Sequence, residues 1–153
     1  MPERIGTESI VVHSQDRAIE EATLLWALAS AQYPLDHRII QDQATVLMVE
    51  AVSRFSLNAR RALEVIQEHI PIALGQPRWK WEPKAAGELV TDLWEALNRI
   101  IHARNLEVGW EALPSSASVV ASGAIVIPYV RAETDRRALV FIDPFFPRPR
   151  VSI

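Results

Sequence analysis

EPKAAGELVTDLWEALNRIIHARN, residues Glu82 to Asn105, carries the clearest helical period in the chain. At about 100° per residue, Leu89, Val90, Leu93, Leu97 and Ile100 fall on one broad stripe, with Trp94 and Ile101 along its edge. Thr91, Glu95, Asn98 and His102 fall on roughly the opposite side. Pro83 suits a first helical turn, where its missing N–H has no partner to lose. The spacing predicts one continuous helix over residues 84–104, with Leu93, Leu97 and Ile100 buried.

Working outward, 153 residues fit a single domain, 1–153, with 49% hydrophobic and 23% charged residues, an ordinary globular balance. No apolar run is long enough to cross a bilayer, and the first residues lack the apolar core of a secretory signal. Cysteine is absent, which removes disulfides, thiolate metal sites and cysteine nucleophiles together. A cytoplasmic location is therefore expected. The formal charge of −3 argues against coating nucleic acid by bulk electrostatics. The charge is uneven: residues 1–50 hold eight acids against three bases, and residues 128–153 hold five Arg against three acids.

Towards the N-terminus, Ser9 to Val12 read as a leading strand or an ordered arm. Ser14 is a fitting N-cap for a first helix running to about Tyr33, where Pro34 stops it. Leu35-Asp36 opens a second, longer helix to about Ile70, its apolar positions three and four apart. Residues 71–83 hold three prolines and two tryptophans, Trp79 and Trp81, and read as a structured connection. Beyond the third helix, Trp110 is expected to plug a gap against the helices. The period then changes. Residues 124–130 and 138–142 are rich in β-branched and aromatic side chains and are expected to pair as a hairpin, with Pro128 at an edge or bulge. Phe145 and Phe146 are expected to dock on the body or on a partner. The fold class read from this is mainly α: an antiparallel bundle of three principal helices over about residues 14–114, with a β-rich C-terminal portion over about 115–153.

Few side chains are spaced for chemistry. Asn98 and His102, four apart, are neighbours on one helical face, where an imidazole can move protons and an amide can orient it. A solvated polar face accounts for the same pattern. Glu50 and Arg54 read as a surface ion pair or the lining of a cleft, and Arg60-Arg61 as solvated cations or phosphate contacts. His13, His37, His69 and His102 are scattered, with no spacing that suggests a metal site. No phosphate-cradling glycine loop and no nucleophile elbow occur. Trp79-Lys80-Trp81 resembles a single-strand stacking platform in composition, though core plugs fit it as well.

The text Trp94 to Ala103 resembles the late-helix motif of HEPN domains, helical bundles of prokaryotic toxins, defence ribonucleases and nucleotide-binding proteins. That motif runs Arg, a polar residue, three further residues and His, facing a dimer cleft. Asn98 and His102 match its polar residue and its His; Leu97 occupies the Arg position and Arg99 falls two places later. The resemblance covers about residues 14–105. It implies a homodimer acting on RNA or a nucleotide, with metal-independent cleavage through the 2′-OH and no cofactor. His102 would be the acid/base group, Asn98 its support, and Arg99 or Arg54 the phosphate contact. The alternative is a non-catalytic dimeric interaction or regulatory protein whose helices and C-terminal hairpin supply contact surface.

Overall fold

Two prolines bound the first helix. The computed structural model describes residues 2–64, 72–74, 88–135 and 137–144, and in it α1 spans Pro2–Ser30. Its first turn carries Pro2, a favoured position. The β-branched run Ser9 to Val12 is thus helical, neither strand nor arm. No proline follows Pro2 before Ser30, and no stop signal separates Val12 from His13. Ser14, expected as an N-cap, lies inside α1 and is buried.

After Ser30 the chain turns. Tyr33–Pro34 form β1, and Gln41 Nε2 donates to the carbonyls of Pro34 and Leu35 at 2.9 and 3.0 Å. These bonds hold Leu35-Asp36 in a turn, so α2 begins at Arg38 and runs to Glu64. Ala44, Met48, Ala51, Val52, Phe55 and Ala59 are its buried apolar stripe. Arg54 Nε meets Glu21 Oε1 at 3.0 Å where α2 runs back along α1. The expected extension to Ile70, the Trp79–Trp81 connection, and Phe145 and Phe146 lie outside the described residues.

The opening stretch is only in part a helix. Glu88–Leu89 form β2, Val90 to Asp92 are extended, and α3 is Leu93–Ile101. Leu93 N donates to Ile72 O at 2.9 Å and Leu74 N to Thr91 O at 2.7 Å, so backbone pairing claims the residues just before the helix. Asp92 then caps it, its Oδ2 accepting from Glu95 N at 3.1 Å. Within these bounds the apolar stripe is as expected: Leu97 is 0% exposed and Ile100 5%, with Leu93 partly buried against the same core.

The β structure is not confined to the end of the chain. β3 is Asn105–Val108, β4 Glu111–Ala112, β5 Ala124–Val126, β6 Val130–Thr134 and β7 Arg137–Ile142. A four-stranded sheet has the order β2-β7-β6-β3, with β2 parallel to β7 and the other pairs antiparallel. A second sheet, β1-β5-β4, is antiparallel. The expected pairing of 124–130 with 138–142 is therefore corrected. Residues 124–126 pair with 33–34 and 111–112, and the strand antiparallel to β7 is 130–134. Pro128 supplies the reason: it cannot donate to a ladder, and the chain passes from one sheet to the other across Ile127 to Tyr129. Among the described residues the class is mixed α and β, three helices with small, mostly antiparallel sheets. α3 is shorter than the bundle reading supposed and packs on both α2 and β6. Trp110 does fill a gap, set edge-on to Tyr33 with ring centroids 5.1 Å apart and Nε1 donating to Thr45 Oγ1 at 3.3 Å.

Candidate functional site

The polar flank of α3 is positioned by its apolar one. Burial of Ala96, Leu97 and Ile100 fixes the rotation of the helix, and this turns Asn98 outward. Asn98 and His102 are both exposed. His102 ends the helix: its N–H donates to Asn98 O at 3.0 Å, so the two residues stand one turn apart. The cation beside them comes from α2. Arg60 Nη1 donates to Asn98 Oδ1, and Arg60 Nε donates to Glu64 Oε1 at 3.1 Å. A guanidinium, a carboxamide and an imidazole thus share one open surface where α2 and α3 meet.

The two arginines expected to contact substrate are placed elsewhere. Arg99 is buried, 7% exposed, because α3 is packed on two sides and that flank of the helix is covered. Its Nη2 donates to Glu95 Oε1 at 2.9 Å, while Nη1 is enclosed without an acceptor. Arg54 is held by Glu21 on α1 and by Glu50. It stands about 120° around α2 from Arg60, facing the first helix rather than the third. Of the four residues expected at the site, Asn98 and His102 are brought together and Arg99 and Arg54 are not. The guanidinium beside Asn98 is that of Arg60, whose reach to a residue 38 positions away has no local signature.

A concavity starts three residues beyond His102. Asn105, Glu107, Arg131 and Glu133 line an open hollow of about 200 Å³ on the β3–β6 ladder. Arg131 Nη2 is paired with Glu107 Oε2, and Asn105 Nδ2 donates to Glu107 Oε1 at 3.2 Å. One paired guanidinium between two carboxylates does not favour a phosphate. Among the described residues no group of three or more His, Cys, Asp or Glu side chains is placed to hold a metal ion, and no helix is long and apolar enough to cross a membrane.

No family model, curated protein or solved structure matches this chain.

His102 offers an exposed imidazole and Arg60 a guanidinium that can oppose charge on an anion. Asn98 ties the cation to the turn that carries the imidazole.

Proposed function

We propose that the protein binds RNA or a nucleotide at the Arg60–Asn98–His102 surface and, in the HEPN manner, cuts RNA without a metal. The observation that supports this reading is the Arg60–Asn98 hydrogen bond, a cation beside the motif's polar residue. In the reaction His102 takes the proton of the ribose 2′-OH, O2′ attacks phosphorus, and the 5′-oxygen leaves with a proton from water. Arg60 offsets the charge that builds on the phosphoryl oxygens, and Asn98 holds Arg60 in reach. The reading takes the protein as a cytoplasmic homodimer.

The test is cleavage of single-stranded RNA by purified protein in excess chelator. His102→Ala is expected to abolish cutting, and Arg60→Ala to slow it by about 10²–10³. Both side chains are solvent-accessible, so the thermal midpoint should hold within a few degrees. Absence of cutting over a range of RNAs, or cutting that survives His102→Ala, overturns the nuclease reading.

A second reading, a non-catalytic dimeric interaction protein, is favoured by a different observation. Large apolar side chains stand exposed along both long helices, among them Val12 and Ile19 on α1 and Ile39, Val46 and Leu57 on α2.

A further inference from the structure

The four-stranded sheet ends on β3, and that edge carries unpaired backbone beside an unneutralised charge. Gly109 N donates to Tyr129 O at 3.0 Å, just past the β3–β6 register, which makes these two a hydrogen-bonded pair of the antiparallel ladder. By the two-residue alternation, Asn105 and Glu107 also turn their backbone groups toward β6, while Leu106 and Val108 turn theirs away from it. Among the described residues no strand pairs with β3 on its outer side. Nor does any hydrogen bond there reach the N–H or C=O of Leu106 or Val108. These are the groups that an added strand uses.

The side chains beside this edge select what can be added. Asn105 lies opposite Glu133 and Glu107 opposite Arg131, all four lining the hollow of about 200 Å³ on one face of the ladder. Arg131 Nη2 is engaged by Glu107, and its Nε is enclosed without an acceptor. Asn105 Nδ2 donates to Glu107 Oε1 at 3.2 Å, which leaves Asn105 Oδ1 to accept. Glu133 is exposed, and its carboxylate has no partner among the described residues. Two carboxylates against one guanidinium leave the hollow one negative charge, and that charge is the free carboxylate of Glu133. A cation with N–H donors complements it, whereas an anion would have to sit against Glu133.

We propose that β3 takes up an extended segment of another protein as an antiparallel strand, with an arginine or lysine opposite Glu107. The two residues flanking that cation make the backbone bonds to Leu106 and Val108. Their side chains fall on the face of Leu106 and Val108, which pack on the core, so β-branched apolar residues suit them. The cation falls on the face of the hollow. Its α-carbon lies about 10 Å, two strand spacings, from β6, a span that an arginine and the Glu133 side chain bridge together. The recognised pattern is therefore apolar, basic, apolar. A second copy of the same edge is disfavoured, because antiparallel pairing of Leu106 with Val108 sets Glu107 opposite Glu107. This inference does not depend on the RNA reading.

The test is an amide-resolved titration of isotope-labelled full-length protein with the peptide acetyl-Thr-Val-Arg-Val-Thr-amide. Millimolar peptide should shift the amide signals of Leu106 and Val108. Replacing the peptide arginine by glutamate, or Glu133→Gln in the protein, should weaken binding by about tenfold. Glu133 is exposed, so the substitution leaves the fold intact. Glu133→Lys should reverse the preference and favour the glutamate peptide. N-methylation of the two valines removes the N–H donors and should abolish the shifts without touching the protein. No shift at Leu106 and Val108, equal binding of both peptides, or affinity indifferent to Glu133→Gln overturns the proposal. So does a stronger response to single-stranded RNA than to the peptide, or the same shifts on concentrating the protein alone.

Discussion

At Gly109 the backbone N–H donates to Tyr129 O at 3.0 Å and the Tyr129 ring fills the space beside the α-carbon. A β-carbon built there would overlap the ring, and Tyr129 has little freedom, because its own residue carries the chain between the two sheets. Gly109→Ala should therefore cost about 1–3 kcal/mol by overpacking, even though alanine stiffens the unfolded chain. A urea titration reads this as a lower midpoint at an unchanged slope. Restoring space with Tyr129→Ala in the same chain should recover part of the loss. No sequence pattern marks Gly109, since the ring that excludes a side chain is 20 positions away and arrives only with the sheet.

Among elements, α3 shows what was legible and what was not. Its buried stripe of Leu97 and Ile100 could be read from periodicity because packing and rotation agree there. Its start could not, because Leu89 and Val90 fit the helical stripe and also alternate as a strand does. Leu89 is exposed and Val90 buried, so the two do not share the buried face that a helix would give them. The deciding signal was Asp92 with Glu95 three residues on, a capping pair hidden inside a run that already looked helical. Asp92→Ala should destabilise the protein by about 1 kcal/mol and loosen the first turn of α3. Faster amide exchange at Glu95, with little change at Ile100, would locate the effect. For the candidate site, Asn98 and His102 were legible because four-residue spacing sets neighbours on any helix. The choice of cation was not, because it depends on which face of α2 meets α3.

Across the whole molecule, two phenols sit where the layers join. Burial raises the pKa of Tyr33 above the ordinary phenol value of 10.0. Burial, with the Glu111 carboxylate adding to it, raises that of Tyr129. The folded chain thus keeps these protons to higher pH than the unfolded chain, and in that window the native state binds more protons. Stability from this source is complete below pH 10 and is lost as pH rises through the folded values. Melting midpoints measured from pH 8 to 11 should be flat at first and then fall, and Tyr129→Phe should lessen the fall. The same junction sets an order for biosynthesis. Tyr33 pairs with Ile125 across β1 and β5, so the long helices leave the ribosome well before the strand that closes over their end. From Glu64 to Ile125, at about 5–20 residues per second, that delay is roughly 3–12 s. For those seconds the nascent chain presents a helical pair with both its core side and its outer side uncovered. A holdase would find its client there, and slowing translation between codons 64 and 124 should increase aggregation without changing the finished protein.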